Sequence, residues 1–160
     1  MLSRLYAIVL IGLFWLVNPA VSSAASLFPG STPDNLGVTE HHLSACPTTP
    51  NCIVSQGADA DHAIDPIAYS GDRETICQAL EQVISIVPRT QIVEATENYI
   101  HAESSSRLLG FVDDVEFYLP EDEAVIHVRS AARMGESDLG VNQRRIEQIR
   151  LALQDLGLGS

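Results

Sequence analysis

The sequence predicts an α+β fold, an antiparallel sheet of four to five strands with two helices packed on one face. Apolar residues recur at three- and four-residue spacing in two separated stretches, from Ile76 to Val87 and from Ile146 to Leu156. Between them, apolar and polar residues alternate through Phe111 to Leu119 and again through Ala124 to Ala131, on either side of the polar turn Pro120-Glu121-Asp122-Glu123. Strands grouped between helices, instead of alternating with them, are the pattern of an antiparallel sheet with its helices segregated to one face.

Met1 to Ala25 opens with a short positive region at Arg4, followed by an apolar run from Leu5 to Val17, a break at Asn18-Pro19 and the small residues Ser22-Ser23-Ala24-Ala25. That three-part layout is a secretory signal peptide over residues 1–25. The run is shorter than the roughly 20 residues of a spanning helix, so removal after Ala24 or Ala25 is expected, with retention of residues 5–17 as a membrane anchor as the alternative. Removal takes Arg4 away and leaves 8 Arg against 21 acids, a net charge of −13. Residues 26–65 are rich in Pro, Gly, Ser, Thr and Asp and read as a linker followed by an irregular arm. Within it Cys46 and Cys52 enclose a five-residue loop stiffened by Pro47 and Pro50. In an exported chain such a pair reads first as a disulfide, and this loop is the part of the arm expected to be ordered. Cys77 falls in an apolar helical pattern and reads as a buried thiol, with a Cys52 to Cys77 bridge as the rival.

The single α+β domain is expected over 66–157. Ile67-Ala68-Tyr69 is a candidate short strand. Asp72 is placed to cap the first helix, since its carboxylate can accept from the free amides of the first turn, and Pro88 stops that helix. Gln91 to Ala95 and Asn98 to Glu103 read as one hairpin around Thr96-Glu97, and the two alternating stretches as a second. The last helix starts near Asn142, a good capping residue, and Gly157 ends it.

In the second hairpin the odd positions Phe111, Val115, Phe117 and Leu119 share one face, which leaves Asp114, Glu116 and Tyr118 on the other. Pairing Leu119 with Ala124 would set Glu116 opposite His127 and Asp114 opposite Arg129. These pairs are either ordinary cross-strand contacts or part of a polar binding surface. Parity places Asp113 among apolar residues, where a carboxylate needs a partner. Ser130 lies opposite it in this register, and Arg133 is the cation expected to reach back.

Three blocks are the most information-dense: Cys46-Pro47-Thr48-Thr49-Pro50-Asn51-Cys52, Gly110-Phe111-Val112-Asp113-Asp114-Val115-Glu116-Phe117, and Arg129 through Ile146 with its two glycines. In this order they resemble domain of unknown function family 1499, with departures at Ile53, Ala132 and Gln143. The resemblance implies an exported or membrane-associated protein of bacteria or plastid-bearing organisms, in the periplasm or thylakoid lumen, and no established activity.

The chain contains no Lys, so each of its nine basic side chains is an Arg, suited to planar contacts with carboxylate or phosphate. A net charge of −12 repels nucleic acid and anionic lipid at long range, so any anion site must be local. A glycine-containing loop entering a helix N-terminus is a common one. The candidate binding residues are Asp113, Asp114, Arg129, Ser130, Arg133, Ser137, Asp138, Asn142 and Arg145. Arg129, Arg133 and Arg145 would surround the ligand and Ser137 would donate a hydroxyl. In the competing structural reading Ser137, Asp138 and Asn142 cap the helix, and the arginines pair with Asp113, Asp114 and Glu147. Gly-x-Ser-x-Gly, P-loop, Rossmann and His-Glu-x-x-His signatures do not occur, and neither a metal nor a cofactor is expected. The reading is a small binding or assembly module that recognises a protein partner or an anionic group through the Arg129–Arg145 loop. Its membrane contact is limited to an uncleaved leader. The rival is a small hydrolase or isomerase using Asp113, Arg133 and one of His62, His101 and His127.

Overall fold

In a computed structural model describing residues 26–159, the helical stretches and the two hairpins form in the expected order. The signal-peptide segment, residues 1–25, lies outside the described residues. The elements are β1 (Val38–Thr39), β2 (His42–Leu43), β3 (Cys52–Val54), β4 (Ile67–Ala68), α1 (Arg73–Ile86), β5 (Thr90–Ala95), β6 (Tyr99–Ser105), β7 (Val112–Tyr118), β8 (Val125–Ala132) and α2 (Val141–Asp155). The main antiparallel sheet runs β3-β8-β7-β6-β5, and β4 shares the outer edge of β8 with β3. The fold is therefore α+β, with six strands in the sheet where four to five were expected. The extra strand, β3, comes from the stretch 26–65 that reads as an irregular arm. The Cys46–Cys52 disulfide forms and leads directly into β3, and Cys77 is a free buried thiol.

Local chemistry accounts for the boundaries. Asp72 accepts from the Thr75 amide at 2.8 Å and the Thr75 hydroxyl at 2.7 Å, capping α1 as expected. These two bonds hold the Asp72 carboxyl below its ordinary value. The chain then leaves the helix at Val87, just before Pro88. At the exposed edge, β5 carries a bulge between Ile92 and Glu94, which interrupts the ladder that another chain could extend.

The two faces of the sheet are covered differently. Ile100, Val115, Phe117, Ile126 and Val128 pack against Ile76, Leu80 and Ile84 of α1 and Ile146, Ile149 and Leu153 of α2 in the main core. On the opposite face a smaller cluster of Leu43, Val54, Tyr99 and Tyr118 is closed by the arm, with Cys46 and Ala58 against it. The hairpin face that carries Asp114, Glu116 and Tyr118 is thus an interior layer.

Candidate functional site

The register of β7 against β8 decides which charges meet. Glu116 lies opposite Arg129, Tyr118 opposite His127, and Asp114 opposite Ala131. The expected pairing of Leu119 with Ala124 is displaced by two residues, because the turn is longer and the ladder ends at Tyr118 with His127. A two-residue shift keeps every side chain on its predicted face and exchanges the partners. Glu116, not Asp114, pairs with Arg129, and Val115, not Asp113, faces Ser130.

On the arm side the exchange produces two buried ion pairs. Glu116 is fully buried and accepts from Arg129 Nη1 at 2.7 Å, the Tyr99 hydroxyl at 2.9 Å and the Gly37 amide at 2.8 Å. Burial, reinforced by the Glu116 charge, drives the Tyr99 phenol far above its usual range. The second pair is Asp114 with Arg133, whose Nε and Nη2 donate to the two carboxylate oxygens at 2.8 and 2.7 Å. His101 Nε2 lies 2.8 Å from Asp114 Oδ1, and Glu103 also receives Arg133. Burial alone would raise the Asp114 carboxyl, but the Arg133 fork and His101 outweigh it and hold it below the ordinary value. Asp114 and Glu116 are inaccessible, and Arg129 is 3% exposed.

Asp113 points the other way, toward the helices, as parity requires. Its cation is Arg145 of α2, at 2.6 Å, and not Arg133. Arg133 follows β8 on the arm side, so the sheet separates it from Asp113. Burial pushes the Asp113 carboxyl up despite the Arg145 charge. Arg145 also donates to Asn142 Oδ1 at 2.7 Å and to Ser130 Oγ at 3.1 Å. Asn142 Nδ2 in turn donates to the Asn51 carbonyl at 3.0 Å. Asn142 therefore does not cap α2; it ties the helix to the disulfide loop.

Gly140 stands at the N-cap position, and the side-chain bonds at this end come from Asp138. Its two carboxylate oxygens accept from the amides of Gly140 at 3.0 Å and Asn142 at 2.7 Å, while Ser137 accepts from Leu139. A carboxylate of the chain itself thus occupies the amides that an anion would need. The loop meets the structural reading for Asp138 alone, since Ser137 bonds an amide ahead of α2, and the expected ring of Arg129, Arg133 and Arg145 around it does not form.

Two of those arginines do line a common cleft. Arg129, Ala131, Ala132 and Arg133 line it together with Pro33, Asn35, Ala45, Cys46 and Pro47 of the arm, around a volume of about 340 Å³. Arg129 Nε is buried and has no hydrogen-bond partner among the described residues. A buried donor left unpaired costs about 1–3 kcal/mol, and among the described residues Glu116 is the acid paired with Arg129.

The trio of the hydrolase reading is not assembled. Asp113 and Arg133 are on opposite faces, His101 is committed to Asp114, His62 pairs with Asp59 at 2.7 Å, and His127 contacts Ser55 at 3.2 Å. Among the described residues, no cluster of three or more His, Cys, Asp or Glu is arranged to hold a metal. His101, Tyr99 and Asn51 were missed as members of the networks, and Glu116 was given His127 as its partner in place of Arg129. His101 had a signal, since it alternates with the apolar Ile100 and Ala102 and so belongs with the Asp114 face once β6 is laid beside β7.

Compared with known proteins, residues 42–153 match the family described as "Protein of unknown function (DUF1499)". The match spans the disulfide loop, all strands of the main sheet and nearly all of α2, and the chain belongs to that family. No curated protein matches it.

Proposed function

We propose that this member of the DUF1499 family is a noncatalytic, exported binding module that receives a carboxylate-type anionic group in the cleft between Arg129 and Arg133. The observation that carries the reading is that Arg129 and Arg133 line one cleft, with Arg129 Nε a buried donor that has no partner among the described residues. A planar anion would satisfy it, and guanidinium is the cation whose geometry matches one. Glu103, Asp114 and Glu116 stand beside the two arginines, so the surroundings are not cationic overall. Recognition would rest on directed hydrogen bonds, not on long-range attraction. The Cys46–Cys52 bridge suits a non-cytoplasmic, oxidising compartment. Export would follow from the Met1–Ala25 leader. Among the described residues no helix is long and apolar enough to cross a membrane.

Thermal unfolding of the disulfide-intact protein against acetate, citrate, phosphate and sulfate tests this. Peptides ending in a free carboxylate or in an amide form a further arm, which separates a small acid from a protein terminus. Ligand at about 100 times its Kd stabilises by about 2.7 kcal/mol, a rise of roughly 5–10 °C for a domain of this size. Arg129→Lys keeps a cation for Glu116 but loses the Nε–H donor, and its midpoint should not rise. No shift with any anion, or equal shifts in wild type and Arg129→Lys, would overturn the reading.

A further inference from the structure

We infer that one end of the domain rests on a lipid surface, through Leu27, Phe28, Leu108, Leu109 and Met134. These side chains are 72, 45, 84, 46 and 44% exposed, an unusual concentration of large apolar groups for a soluble surface. Close backbone packing brings them together. A Cβ on Gly110 would lie 2.7 Å from Ser26 Cα and 2.9 Å from the Leu27 amide, so the arm's first residues cross directly over the 107–111 loop. Phe28 stacks on Phe111 with ring centroids 5.6 Å apart. Gly30 lies against Arg133 Cβ and Met134 Cγ, which joins the next loop to the same end.

The occupant is indicated by the chain itself. The apolar run Leu5–Val17 ends nine positions before Ser26, and nine residues span at most about 30 Å. Ser26, at this apolar end, therefore lies within reach of the membrane when the apolar run is retained as an anchor. With a formal charge of −12, the surface should be uncharged or zwitterionic lipid.

The test uses the full chain with phosphatidylcholine vesicles and an environment-sensitive fluorophore at Leu108→Cys. A second label at Leu151→Cys, exposed ten residues into α2, serves as the control. Native cysteines do not compete, since Cys46 and Cys52 are bridged and Cys77 is buried. The label at 108 should shift to the blue and be quenched severalfold by nitroxide-bearing lipid, and the label at 151 should not. Adding Phe28→Ser and Met134→Ser should reduce the response at 108, as should mixing in anionic phosphatidylglycerol. Vesicle sedimentation with an unquenched label at 108 would mean that the leader alone holds the protein, and would overturn the inference. Equal quenching at both positions would do the same, as would a blue shift without lipid that grows with protein concentration, the mark of a second copy covering the patch. The cleft variant Arg129→Lys should leave the response unchanged, so this inference and the anion reading fail separately.

Discussion

Glu116→Gln should destabilise the domain by about 3 kcal/mol, because the fully buried carboxylate is the counter-charge of Arg129 and the acceptor for Tyr99 and Gly37. Removing one partner of a buried ion pair costs about 3–5 kcal/mol, since the other charge stays buried without compensation. The amide oxygen of Gln still accepts from one or two of the three donors, which puts the loss at the lower end. A domain of this size is stable by about 5–15 kcal/mol, so the variant remains foldable and its loss can be read by urea unfolding. The midpoint should fall with the slope unchanged, the sign that stability changed and not the surface exposed on unfolding. Glu116→Leu combined with Arg129→Met removes both charges, and its cost should be smaller than the sum of the two single changes. A loss below about 1 kcal/mol for Glu116→Gln, or strict additivity in the double variant, would refute the argument that this pair fastens the arm to the sheet.

The neighbouring aspartates should respond to pH with opposite sign. Asp114 is held below its unfolded value, so its contribution is present above about pH 4 and is lost as pH falls through the lowered native pKa. Asp114→Asn should therefore flatten the acid limb of stability between about pH 5 and pH 2. Asp113 is raised, so its contribution is complete below the unfolded value and is lost as pH rises through the native one. Asp113→Asn should make stability climb more steeply as pH rises from about 4 through the raised native value, as followed by urea midpoints at each pH. Asp72→Ala removes the α1 cap and should cost about 1 kcal/mol in the same assay. Reducing Cys46–Cys52, which closes only a short loop, should cost about 2 kcal/mol in denaturant unfolding with and without reductant.

Elements governed by local chemistry were legible in the sequence. The Asp72 cap, the Pro88 stop, both hairpins and the parity that sends Asp113 and Asp114 to opposite faces follow from side-chain periods and backbone geometry. The partners of the buried charges were not legible, because a two-residue change of register leaves the hydrophobic pattern intact while exchanging every cross-strand neighbour. Arg133 and Arg145 exchanged roles for a related reason: sequence proximity favoured Arg133 for Asp113, but Asp113 faces α2, where Arg145 waits. The arm's polar, aperiodic composition concealed that it covers a sheet face and supplies β3. Its backbone groups are satisfied by tertiary partners such as Glu116 for Gly37 and Gln56 for Leu43, and these leave no local pattern.

The most direct measurement of the central claim follows the Arg129 Nε–Hε resonance by NMR while acetate and a carboxylate-terminated peptide are titrated into the folded protein. A saturable shift of this resonance is expected, with Arg133 responding alongside it and Arg150, anchored to Glu147 and the Pro66 carbonyl, unmoved. An Arg129 resonance that ignores every carboxylate would contradict the account, as would one that moves only in step with all surface arginines.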